Sequence, residues 1–101
     1  MNILETQDEV LDASGGSQVL YLLHNPVTDL VKVGITSDLR RRMRDLERAG
    51  GVRLVIFAAL MSTDRRSVAK WESAIHARYA EQREQGEWFR ISGPLLAEWN
   101  H

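Results

Sequence analysis

The sequence predicts a small α+β domain built on a three-stranded antiparallel sheet flanked by helices. Two β-rich runs, Gln18 to His24 and Leu30 to Ile35, are separated by a short turn-forming stretch. An eight-residue apolar run, Leu54 to Met61, reads as a third strand. Two stretches of helical periodicity lie after the second and third runs. Strands and helices mixed in this order pack as one layer upon another.

Each element has its own reason. Residues 1–16 carry four acids (Glu5, Asp8, Glu9, Asp12) and no base, and they end in Ser14-Gly15-Gly16. They read as a mobile acidic leader, leaving 17–101 as one domain. The first strand stops in a loop made of His24-Asn25-Pro26 with Asp29, because proline cannot continue a ladder. The second should pair back on it across a loop of about five residues. Thr36 or Ser37 can cap a helix over Asp38 to Arg48, which Gly50-Gly51 ends. Arg53 to Met61 is apolar at nearly every position, so that strand is expected to be covered on both faces. A second helix is expected from Arg65 to Gln82, then an extended piece from Glu87 to Ile91. A last helix should enter through Ser92-Gly93-Pro94.

Composition sets the outer limits. A chain of 101 residues, 44% hydrophobic and 27% charged, is one ordinary globular domain. It has no cysteine, which excludes a disulfide framework and a thiolate zinc site and fits an intracellular setting. The longest apolar run is far below the roughly 20 residues that span a bilayer. The N-terminus lacks the basic start of a signal peptide, so a soluble cytoplasmic protein is expected. The formal net charge is −1, yet without the leader 13 bases face 10 acids. A net +3 is compatible with nucleic acid without demanding it.

Helix and strand geometry then picks out polar residues in unusual places. Leu39, Met43 and Leu46 form one face of the first helix, with Arg41, Arg44 and Arg48 roughly opposite. Arg42 and Arg40 flank the apolar stripe at about 70° and 90°, where a guanidinium can reach into a cleft while its stem stays buried. In the second helix Val68, Ile75 and Tyr79 make the stripe, with Trp71 at its edge. Glu72 lies within about 40° of the stripe's centre, and His76 follows one turn on. A carboxylate facing a core is either ion-paired or part of a site. His76 fits a partly exposed structural role as well as a functional one. Lys32 and Gly34 share a strand face, and the hairpin can set Lys32 beside Tyr21, lowering the phenol's pKa from about 10. The plain alternative is an edge lysine and a core tyrosine.

Tyr21, the run Lys32-Val33-Gly34-Ile35-Thr36, Arg42, and Glu72 within Trp71-Glu72-Ser73-Ala74-Ile75-His76 together resemble the GIY-YIG nuclease superfamily. The closing Gly86-Glu87-Trp88-Phe89 is similar to a branch found in phage reading frames and meiotically up-regulated gene products. The likeness covers about residues 18 to 91. It implies a metal-dependent DNA endonuclease. Tyr21 takes the place of the first motif's tyrosine, with Val19-Leu20 for its Gly-Ile. Gly34 takes that of the second motif's glycine, Arg42 that of the helical arginine and Glu72 that of the metal-binding glutamate. Lys32 stands where the second motif usually has tyrosine, which leaves the identity of the base open between Tyr21 and Lys32.

The expected chemistry follows from the groups. Tyr21, assisted by Lys32, serves as general base. Arg42 binds the non-bridging phosphate oxygens. Glu72 holds one largely hydrated Mg²⁺ or Mn²⁺ against the leaving oxygen, and His76 assists proton transfer or supports Glu72. Glu87 is a second candidate ligand, although beside Trp88 and Phe89 it also fits a structural pair. Arg40, Arg41, Arg44 and Arg48, with Arg65, Arg66 and Lys70, are expected to contact DNA phosphates without reading sequence. Either cleavage then has little sequence preference, or specificity comes from a homodimer or a partner protein. Trp71, Trp88 and Trp99 suit core packing better than base stacking. Two other readings stay open: a GIY-YIG-like DNA-binding or assembly module without catalysis, and a small α+β protein-interaction domain with Glu72 in a structural ion pair.

Overall fold

The computed structural model describes residues 9–11, 15 and 17–91. The expected helix beyond Ser92, Trp99 and most of the expected leader lie outside the described residues. β1 (Gln18–Asn25) and β2 (Leu30–Thr36) form the expected hairpin, with Tyr21 opposite Gly34 and Leu23 opposite Lys32. The side chain of Asn25 shapes the turn, accepting from the backbone N–H groups of Val27 and Thr28 at 2.9 and 3.2 Å. Asp29 closes it at φ 62°, and its carboxylate meets His24 Nε2 at 2.8 Å.

α1 (Leu39–Gly50) starts from Asp38, whose carboxylate accepts from the Arg41 N–H at 3.0 Å. The cap is later than expected because the Thr36 hydroxyl is occupied by the Asp38 backbone, accepting its N–H at 3.1 Å. Gly51 ends the helix at φ 68°, a left-handed conformation open to glycine without a Cβ penalty. β3 (Val55–Ser62) and α2 (Arg65–Arg78) follow. α2 stops before the expected Gln82, and Ala80–Gln82 forms a separate 3₁₀ turn. β4 (Arg83–Gln85) and β5 (Trp88–Phe89) turn tightly about Gly86, at φ 56°.

The fold is α+β as expected, but the sheet has five strands rather than three. Their order is β3-β1-β2-β5-β4, with every neighbouring pair antiparallel. The three long strands are those the sequence predicts. The additional pair is short, and Arg83-Glu84-Gln85 is polar and exposed, so no apolar alternation marks it in the sequence. β3 also departs from expectation. It lies at the sheet edge, with Val55 42% and Phe57 39% exposed, rather than covered on both faces. The pairing slips where Leu22 meets Ala58 and Leu23 meets Ile56, leaving Phe57 as the extra residue of a bulge. Its ring stacks on His24 at 4.4 Å.

Both sheet faces are buried. On one, Leu20, Leu22, Val31, Val33 and Phe89 pack under Val68, Ile75 and Tyr79 around α2. On the other, Val19, Tyr21 and Leu23 pack with Leu39 and Met43 of α1 and with Leu54. β1 is therefore buried on both sides. Residues 9–11 of the expected leader are helical, with Val10 and Leu11 against this second cluster. No helix among the described residues is long and apolar enough to cross a membrane.

Candidate active site

Tyr21 is the fixed point of the site. It is 1% exposed in the middle of the doubly covered strand, and its ring lies across Gly34 on the neighbouring strand. A Cβ at position 34 would run into the phenol oxygen and stand 2.6 Å from Cζ, so only glycine leaves room for the tyrosine. Burial pushes the Tyr21 hydroxyl up to about 12; the Arg42 guanidinium opposes this, while the Glu87 and Glu72 carboxylates add to it. Arg42 from α1, Glu72 from α2 and Glu87 from the β4–β5 turn thus converge electrostatically on one phenol.

The charges that act on the Tyr21 phenol are those of Arg42, Glu87 and Glu72. Lys32 shares Tyr21's sheet face, but its Nζ turns to Glu87 Oε2 at 3.5 Å and sits 5.6 Å from the centre of the Trp88 ring. Trp88 is its register partner on β5, the strand absent from the sequence-based sheet. Lys32 is thus engaged by Glu87 and Trp88, and burial favours the neutral hydroxyl of Tyr21.

Glu72 is partly buried on α2, one turn before His76. Burial raises its pKa from the ordinary 4.5; a protonated His76 ring lowers it and the Glu87 carboxylate raises it further. His76 Nδ1 lies 3.1 Å from Arg83 Nη2. A guanidinium can only donate, so Nδ1 accepts and the ring proton resides on Nε2. Burial is the largest of the influences on Glu72. His76 Nε2 is buried with no hydrogen-bond partner among the described residues, and the ring meets Phe89 edge-on at 5.1 Å. Arg83 in turn lies 5.2 Å over Phe89. In this arrangement the Nε2–H of His76 is a donor without a partner among the described residues. Nitrogen-15 NMR of the imidazole should show the Nε2–H tautomer, and Arg83→Ala should convert it to a tautomer mixture. A mixture already present in the parent protein would refute this assignment.

The carboxylates also bear on a cation. The Glu87 carboxylate raises the pKa of Glu72, a repulsion that a bound cation relieves. Among the described residues no group of three His, Cys, Asp or Glu forms a metal cluster. One carboxylate, or two, with the remaining positions filled by water and phosphate suits Mg²⁺ or Mn²⁺.

The arginines divide into two sets. Arg40, Arg41, Arg44 and Arg48 line a shallow depression on α1 that also contains Asp38 and Asp45. Arg42 turns the other way, into a cleft with Arg65. Glu87 is the second candidate ligand of the sequence reading, and Arg83 is the supporting residue that reading missed. Glu87 lies in the Gly86-Glu87-Trp88-Phe89 motif, and its backbone oxygen also accepts the Val33 N–H at 3.0 Å. Arg83 reaches His76 from a strand beyond the end of α2, a contact that helical periodicity does not encode.

The fold and site define an α+β domain that gathers a tyrosine, an arginine and two glutamates from separate elements around one sheet centre. Residues 18–101 match the T5orf172 domain, and the chain belongs to that family, which is associated with nuclease-type phage proteins. No curated protein and no solved structure matches the chain.

Proposed function

We propose that this protein is a GIY-YIG-type DNA endonuclease that hydrolyses phosphodiester bonds with a single divalent metal. The observation that carries the reading is the convergence of Arg42, Glu72 and Glu87 on the buried Tyr21 hydroxyl. A phosphodiester bound there meets the Arg42 guanidinium, which has no ion pair among the described residues, matches two non-bridging oxygens and offsets the charge that grows on them. Glu72, with Glu87 as second carboxylate, would hold Mg²⁺ or Mn²⁺, which when bound stabilises the leaving oxygen. Tyr21 takes the proton of the attacking water as phenolate, and the His76 Nε2–H supplies a neutral hydrogen bond beside Glu72.

The raised Tyr21 pKa makes this route testable by pH. Below about 12 the phenolate fraction grows tenfold for each pH unit, so the logarithm of the single-turnover rate should climb with a slope near one. A flat profile through the neutral range would remove Tyr21 as the base. One observation favours a second reading, a DNA-binding module without cleavage: Lys32 is engaged by Glu87, and Tyr21 rests in its neutral form. Supercoiled plasmid incubated with Mg²⁺ and then Mn²⁺ separates the two. Nicking or linearisation supports the nuclease, and salt-sensitive binding without cleavage under either ion supports the module.

A further inference from the structure

The cleft that receives Arg42 has a second arginine that the catalytic groups do not use. Its walls bring together Gln18 at the start of β1, Thr36 and Ser37 after β2, Arg42 on α1, and Arg65 and Ala69 on α2. Its volume is about 520 Å³, against the ~30 Å³ that one water occupies in the liquid. It has room for a length of backbone rather than a single small ion. Arg42 and Arg65 make no ion pair among the described residues, and no carboxylate lines the cleft. Ser37 and Gln18 add a hydroxyl and an amide with no hydrogen-bond partner of their own among the described residues. By contrast, the arginines on the outer side of α1 share their depression with Asp38 and Asp45, which offset part of its charge.

The placement of the second arginine relates it to the reacting centre. Rotating by 100° per residue, Glu72 and His76 each fall within about 20° of Arg65, on one stripe about 40° wide along α2. Arg65 sits about 10 Å before Glu72 on that stripe, at 1.5 Å rise per residue. Arg42 lies between the two regions, acting electrostatically on Tyr21 while lining the cleft with Arg65.

We propose that this cleft is a second phosphate subsite, in which Arg65 holds a phosphodiester neighbouring the one bound by Arg42, so that the cut strand runs along α2 from Arg65 toward Glu72 and His76. The subsite rests on the DNA-cleaving reading above. It assigns the grip on the cut strand to Arg65 rather than to the four arginines on the outer side of α1. Arg65 is a binding residue here and takes no part in the chemical step.

The test uses full-length protein carrying Glu72→Gln, which binds without cutting, and a short fluorescent duplex titrated between about 50 and 200 mM salt. Arg65→Ala should make the slope of log affinity against log salt shallower by about 0.9, the value of one phosphate contact, and Arg65→Lys should restore it. Arg53→Ala, which removes one charge outside both arginine-lined surfaces, should leave the slope in place. Neutral methylphosphonates placed singly near the mapped cut then locate the contact. One neighbouring position should weaken the parent and leave Arg65→Ala unaffected. Equal slopes for parent and Arg65→Ala, or no position that couples to Arg65, overturn the subsite while leaving the nuclease reading intact. A parent that binds no DNA overturns both.

Discussion

Replacing Arg42 or Glu72 by alanine is expected to lower plasmid cleavage about a hundredfold or more, with the domain still folded. The size of the effect comes from what each group does in the reaction. A charged donor aimed at oxygens that gain charge in the transition state is worth about 3 kcal/mol, because it stabilises that state more than the ground state. Arg42 is exposed and held by no carboxylate among the described residues, so its loss removes little native structure. Glu72 differs in an informative way. Its pKa lies above 4.5 in the folded state because burial and Glu87 disfavour the charge. The folded protein therefore binds the proton more tightly than the unfolded chain does, and stability falls as pH rises from near 4.5 through the raised value. Glu72→Gln should abolish that decline and melt no lower than the parent at neutral pH, while cleavage is lost. Thermal melts at pH 5 and pH 7 beside the plasmid assay check both halves. If Glu72→Gln melts well below the parent, the glutamate is a structural partner and the protein-interaction reading gains. If both alanine variants cut as fast as the parent, the site is elsewhere.

Gly34→Ala is expected to cost about 1–3 kcal/mol of stability and most of the activity through a single added methyl. The new Cβ would overlap the Tyr21 hydroxyl and approach Cζ to 2.6 Å, and the ring is packed in a strand covered on both faces, so it has nowhere to retreat. For a domain of this size each kcal/mol lowers the melting temperature by about 4–8 °C. Since the clash is with one side chain, shortening that side chain should relieve it. Gly34→Ala combined with Tyr21→Leu should be more stable than the sum of the single changes implies, the non-additivity marking a direct contact. Simple addition of the two losses would place the cost of Gly34→Ala in the backbone and not against Tyr21.

How much of this was legible in advance depended on whether a residue's neighbours are set by local periodicity. Tyr21 and Gly34 share a face because alternation along two hairpin strands requires it, and the observed register agrees. Glu72 stands out beside Val68 and Ile75 because helical rotation puts it there, and it is half-sheltered as that geometry demands. Lys32 shows where such reasoning stops. Its face was right, but its ammonium goes to Glu87 and Trp88, in the expected extended piece whose pairing with β2 local periodicity does not encode. The same holds for His76, whose Nδ1 meets Arg83 on β4. The β3 run is apolar enough to pass for a central strand; its edge position follows from strand order, which a continuous hydrophobic run does not encode.

The β4–β5 hairpin carries Arg83, Glu87 and Trp88 within one short excursion of the chain, attached along the β2 edge through Val31 and Lys32. Three separate influences on the site, the tether on Lys32, the negative field at Tyr21 and the orientation of His76, are therefore one mechanical unit. Peeling that unit from β2 removes all three in a single event while both core clusters keep most of their members. Amide exchange at Val33, whose N–H is held by the Glu87 carbonyl, reports that opening directly. The hairpin can thus retune the electrostatics of a preserved tyrosine, arginine and glutamate by changes confined to one sheet margin.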